Sequence, residues 1–211
     1  MVEYMENVTD VNIQYQDLQP VTEGLRKRGI NPDVFESLGA KSISRGGGHR
    51  IAQPYISEGI TYAYKVRPLG KGDHFWLGDS SLKDKRGKHF FNEDVLRDES
   101  LKDRPLIVTE GELDAVIAIQ CGWTRTVSVP NGANTKAIPL GDERSQTAFM
   151  YIENIMQFLK AENVPEIVIA TDGDRSGRIL AEDLALRLGK ERCRWVEYPE
   201  NCKDLNDVFL K

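Results

Sequence analysis

Two stretches of this chain share one design, and together they constrain its fold more than anything else in it. Ile167–Gly177 reads IVIATDGDRSG, and Leu106–Asp114 reads LIVTEGELD. Each begins with a run of β-branched and apolar residues that predicts a buried strand. Each then places acid and glycine at the strand's end: Asp172-Gly173-Asp174 in one, Glu110-Gly111 in the other. A helix is expected after each, over Ser176–Leu188 and Leu113–Gln120. Gly111 suits a tight turn or a close backbone approach. The carboxyl ends of strands are where open α/β sheets bind their ligands. Carboxylates this close repel one another and call for a counter-charge. A hard divalent cation is the natural one, since Mg²⁺ takes one or two carboxylates and completes its shell with water and substrate phosphates. A lone Asp-Gly-Asp is equally read as a solvated acidic turn; the second stretch shifts that balance, because one parallel sheet could aim Glu110, Asp172 and Asp174 at one spot.

Glu110-Gly111-Glu112-Leu113-Asp114 taken with Asp172-Gly173-Asp174-Arg175-Ser176-Gly177 resembles the Toprim domain, shared by bacterial-type primases, type IA and type II topoisomerases and some nucleases. The resemblance is nearest to primases, including the primase part of phage primase-helicases. DGDRSGR over Asp172–Arg178, SVPNGA over Ser128–Ala133 and KDLND over Lys203–Asp207 all look like their segments. It covers Leu101–Lys211, about half the chain. It implies Glu110, Asp172 and Asp174 as catalytic residues and ligands of two Mg²⁺ or Mn²⁺ ions. It also sets Lys203 and Asp204 near the active centre.

Asp114 has two readings: a favourable partner of its helix dipole, or an outer carboxylate that orients a ligand. Asn131 could reach a nucleotide, although turn chemistry alone explains Asn-Gly. Arg175 and Arg178 stand at a helix N-terminus against the dipole preference, which favours phosphate contact over a surface role.

The 211 residues allow one large domain or two small ones. The division expected is a leader over 1–19, an α+β subdomain over 20–103, and a Toprim domain of about four parallel strands over 104–211. Helices are expected at Pro20–Gly29, from Asn31 to Gly39, and over Glu143–Glu162. Ser44–His49, SRGGGH, is read as a loop in preference to a phosphate cradle. Strands are expected at Ile51–Ile56, Ile60–Leu69 and His74–Leu77, giving an antiparallel sheet, with His89–Leu96 starting as a strand and turning helical at Asn92. The chain ends within a last short helix and is read as part of a longer protein.

The net charge is −5, which does not look like a nucleic-acid binder, yet the charge is uneven. Arg45–Asn92 holds nine Lys and Arg against four Asp and Glu, with all three histidines. Lys65 and Arg67 alternate onto one strand face. The subdomain resembles the one that precedes Toprim in primases, where basic residues contact template and nucleotide phosphates. That likeness nominates Arg67, with Lys85 or Lys88, beside Lys65; the competing reading is a solvated basic face.

Cys121, Cys193 and Cys202 have no zinc-ligand spacing, so no zinc is expected, and they suggest a reducing, cytoplasmic setting. No apolar run is long enough to cross a membrane. The resemblance to phage-type primases implies a helicase partner, fused or separate; no phosphate-loop motif occurs, so this chain alone is not expected to drive translocation. The function read is a primase core making RNA primers on single-stranded DNA from ribonucleoside triphosphates, of phage or prophage type. A Toprim nuclease and a non-catalytic DNA-binding Toprim module are the alternatives.

Overall fold

In a computed structural model, residues 15–45, 47–70, 72–78 and 86–211 are described. They form two four-stranded sheets of opposite character. The first is antiparallel, with β1 (Lys41–Arg45), β2 (Gly48–Ser57), β3 (Ile60–Arg67) and β4 (Phe75–Leu77) in sequence order. Ser44–His49 is the tip of the β1–β2 hairpin, with Ser44 opposite His49. The β2–β3 turn is held by Asp94, whose carboxylate accepts from the N–H groups of Glu58 and Gly59 at 2.6 and 2.9 Å. Two short helices precede this sheet, α1 (Thr22–Lys27) and α2 (Pro32–Ser37). Asn31 caps α2 by accepting from the Asp33 N–H, and Pro32 sits at its first position, where a missing N–H costs nothing.

The second sheet is parallel. It contains β5 (Leu106–Thr109), β6 (Thr126–Ser128), β7 (Ile167–Ala170) and β8 (Cys193–Trp195), in the order β6-β5-β7-β8. The chain leaves β5, crosses through α3 (Glu112–Gln120) to β6 on one side, then returns to β7 on the other. The direction of winding therefore reverses between β5 and β7. Such a switch point opens a crevice beyond the strand ends, and here it lies between the two acidic turns. The register puts Thr109 opposite Ala170, so Glu110 and Thr171 emerge side by side.

One face of this sheet packs Leu106, Val108, Ile167 and Ile169 against α6 (Arg175–Leu188) and the segment 149–159. On the other side, α3 buries Leu113, Ala115, Val116 and Ile117 in a cluster that also contains Leu25, Phe35, Ile51 and Tyr55. A helix apolar on nearly every side must be enclosed, and α3 is enclosed by both halves of the chain.

Two expected elements differ. The helix expected over Glu143–Glu162 is broken into α4 (Ser145–Ala148), α5 (Met150–Glu153) and a 3₁₀ turn at Met156–Phe158. Phe149, Tyr151, Ile152 and Ile155 are all buried, and the Arg187 guanidinium sits 3.7 Å from the Phe149 ring centroid. The strand expected from His89 is reduced to one bridge, Phe91 to Ser128, while the turn to helix expected at Asn92 is present as a 3₁₀ helix over Glu93–Arg97. Phe90 and Phe91 enter two different cores, and the buried Glu93 carboxylate accepts from Ser57 Oγ and the Phe90 N–H. Among the described residues, no helix is long and apolar enough to cross a membrane.

Candidate active site

The site is built on two matching strand ends. Thr109 and Thr171 close β5 and β7, and each hydroxyl donates to a carbonyl of the adjoining turn: Thr109 to Gly111 at 3.0 Å, Thr171 to Gly177 at 2.8 Å. Glu110 and Asp172 come directly after, and the Asp172 N–H donates to Glu110 Oε2 at 3.2 Å. Asp174 is the N-cap of α6, accepting from the Gly177 N–H at 2.9 Å through Oδ1. Gly177 is fixed by space: a Cβ there would lie 2.0 Å from the Asp172 carbonyl oxygen. Glycine alone lets α6 start this close beneath the acidic turn.

Two further segments close over this turn. The loop at 203 contributes backbone, not a side chain: the Gly173 N–H donates to the Lys203 carbonyl at 2.6 Å. Asp204 caps α7 (Leu205–Phe209), accepting from the Asp207 N–H at 2.7 Å. Asp114, in the first turn of α3, accepts from the Asn206 N–H at 3.1 Å. A Cβ on Gly111 would meet Asp114 Oδ2 at 2.9 Å, so a side chain there would displace that carboxylate.

The negative charge gathered here is under-compensated. Burial and the neighbouring Asp172 charge push the Glu110 carboxyl up to about 7. Burial and Asp204 push Asp114 up to about 7 as well. Asp172 is raised by burial and then by Asp204, with Lys203 opposing. The Lys203 ammonium lies 3.3 Å from Asp204 Oδ2 but is 67% exposed, so its charge is well screened. Among the described residues no three His, Cys, Asp or Glu side chains draw together into a closed metal shell. Nonetheless, the donors are all oxygens, Glu110 and Asp172 half-buried and Asp174 exposed, and Mg²⁺ needs few protein ligands. The donor set fits a hard divalent cation.

The basic residues divide into two groups. Arg175 and Arg178 are exposed on the first turn of α6, and Arg178 Nη2 donates to the Gly173 carbonyl at 3.2 Å. Lys65 and Arg67 do share a face of β3, but Lys65 is only 7% exposed. Its ammonium donates to Glu112 Oε1 at 2.6 Å and to the Pro130 carbonyl at 2.7 Å. Tyr55 donates to the same Glu112 oxygen at 2.7 Å, and Arg67 Nη1 lies 3.9 Å from Oε2. Burial would raise Glu112, but Lys65 and the two hydrogen bonds outweigh it and hold the carboxyl below its ordinary range. Asn131 comes after Pro130 and packs against Gly87, whose Cβ would meet its amide at 3.0 Å. Lys88 lines a separate 490 Å³ cleft with Tyr62, His89 and Arg97. Lys85 lies outside the described residues.

Glu112 is the residue that sequence reasoning misses. Its signal is present, an acid two residues past Glu110, but its partners are 47 and 57 residues away. Tyr198 is missed too, because β8 stops at Trp195 and leaves it in the loop that follows.

Residues 107–209 match the Toprim-like family. The second half of the chain is a Toprim-like domain. The carboxylates of its two strand ends are the residues on which the sequence resemblance rests. The chain is 33% identical over 205 residues, 89% of its length, to the chloroplastic/mitochondrial Twinkle homolog protein of Arabidopsis thaliana. It is 46% identical over 114 residues, 50% of its length, to the Primase homolog protein of the same plant. The chain spans only 28% and 33% of the lengths of these two relatives. Among solved structures it is similar to the primase fragment of the bacteriophage T7 primase-helicase protein. The TM-score is 0.67 at 22% identity, covering 88% of this chain and 67% of that one. The Toprim sheet and the antiparallel sheet before it thus share the fold of that fragment.

Proposed function

We propose that this chain is the catalytic core of a DNA primase, joining ribonucleotides on a single-stranded DNA template. The observation that carries this reading is the pairing of Glu110 with the Asp172 turn at the switch point of the Toprim sheet, with Arg175 and Arg178 on the adjoining helix turn. The names of the plant primase homolog and the phage primase fragment support it.

In this reading Glu110, Asp172 and Asp174 hold divalent cations, Mg²⁺ or Mn²⁺. When bound, two such ions supply the charge neutralisation and nucleophile activation of an in-line phosphoryl displacement. Asp114 and Asp204 orient the surrounding loops through their backbone hydrogen bonds. Arg175, Arg178 and Lys203 face the solvent side of the acidic turn, where triphosphate oxygens would be bound. Arg67 and Asn131, with Lys85 and Lys88 as the sequence nominates them, contact template and nucleotide backbone in this reading, which makes binding salt-dependent and largely sequence-independent. Lys65, tied to Glu112, serves those contacts by holding β3 against the Pro130–Asn131 loop. Helicase action comes from a partner, fused or separate.

The test is one incubation of the chain with single-stranded DNA, four labelled ribonucleotides and Mg²⁺ or Mn²⁺, read on a denaturing gel beside Asp172→Asn. Short labelled products, reduced at least about a hundredfold in the variant, are expected. Shortened template with no new product would move the assignment to a nuclease.

A further inference from the structure

Tyr198 stands in the loop between β8 and α7, and its contacts are incomplete. Its ring lies against the acidic turn: a Cβ on Gly173 would meet Tyr198 Cδ2 at 3.3 Å. The same glycine is bonded from the other side of that loop through Lys203. Yet the Tyr198 hydroxyl, shielded from solvent, has no hydrogen-bond partner among the described residues. A buried hydroxyl without a partner is rare. The hydroxyl is a donor that also carries acceptor lone pairs, on a ring that packs against the acidic turn.

We infer that Tyr198 is a positioning residue for the acidic cluster, its ring bracing the Asp172–Asp174 turn and its hydroxyl hydrogen-bonding water on the bound cation. The inference rests on the reading of that cluster as a cation site. The lone pairs of a tyrosine hydroxyl accept from a water polarised by a cation. No other tyrosine among the described residues has its hydroxyl in this position: that of Tyr55 is bonded to Glu112.

The experiment compares Tyr198→Phe, Tyr198→Leu and Asp172→Asn with the unaltered chain. Mn²⁺ affinity is read from the electron paramagnetic resonance signal of the free ion, and melting is followed in EDTA. Tyr198→Phe keeps the ring, so its melting in EDTA should match or exceed that of the unaltered chain, while Mn²⁺ binds about tenfold more weakly. Tyr198→Leu also removes the brace on Gly173 and should bind more weakly still. Equal Mn²⁺ affinity in Tyr198→Phe and the unaltered chain overturns the inference and leaves the cation site standing. A lower melting temperature for Tyr198→Phe in EDTA also overturns it, because the role is then structural. If Asp172→Asn binds Mn²⁺ as the unaltered chain does, the cation site itself falls, and the inference with it.

Discussion

Gly177 shows how one side chain's absence holds the site together. In a helix, glycine to alanine ordinarily stabilises by about 1 kcal/mol. Here the added methyl would collide with the Asp172 carbonyl at 2.0 Å, and that oxygen is backbone, which cannot swing aside. Gly177→Ala should therefore destabilise by roughly 2–4 kcal/mol in urea unfolding, a reversal of the usual sign. The acidic residues themselves were legible in the sequence because local rules decide them: a buried strand must end somewhere, and the residues just past its end face the crevice. Lys65 was legible only as a basic residue on a named face of β3. Whether that face meets solvent or a carboxylate depends on Glu112, and nothing near Lys65 in the chain announces it.

At the scale of elements, Glu112 joins β2, β3 and the first turn of α3, and Lys65 adds the Pro130 loop. Lys65→Met would leave the Glu112 carboxylate buried without its cation, which typically costs about 3–5 kcal/mol. Lys65→Met with Glu112→Leu removes both charges and should recover most of that loss in the same urea titration. If the double variant is as unstable as the single one, the pair is not the joint described. The elements that sequence periodicity misjudged fail for a related reason. The 145–158 segment has the apolar content of a long helix, but Phe149, Tyr151, Ile152 and Ile155 are drawn inward by the sheet and Arg187. The 89–97 segment has the residues of a strand, but Phe90 and Phe91 are claimed by two cores. Strands β5 to β8 and helices α3 and α6 were readable because their patterns agree with their packing.

For the whole molecule, the crowded carboxylates set a pH dependence. Glu110 and Asp114 have ordinary values of 4.5 and 3.8 and are pushed up to about 7 in the folded chain. Between those limits the folded state binds more protons than the unfolded one, so stability falls as pH rises from about 4 to about 7 and levels off above. Glu112 acts in the opposite sense: its lowered carboxyl contributes stability above 4.5 that is lost as pH falls through its folded value. In EDTA, melting should be higher at about pH 5.5 than at about pH 8, and added Mg²⁺ should narrow or reverse the difference. A melting temperature flat across that range would show that the cluster carries no such strain.

The enclosure of α3 has a consequence for how the molecule comes apart. Its apolar surface is shared between the helices and sheet of the first half and the parallel sheet of the second. Neither half can lose its structure without stripping that helix on one side, so the two sheets should melt in a single cooperative transition. Motion of one relative to the other is then confined to bending about a common pivot, with the acidic turns at its rim.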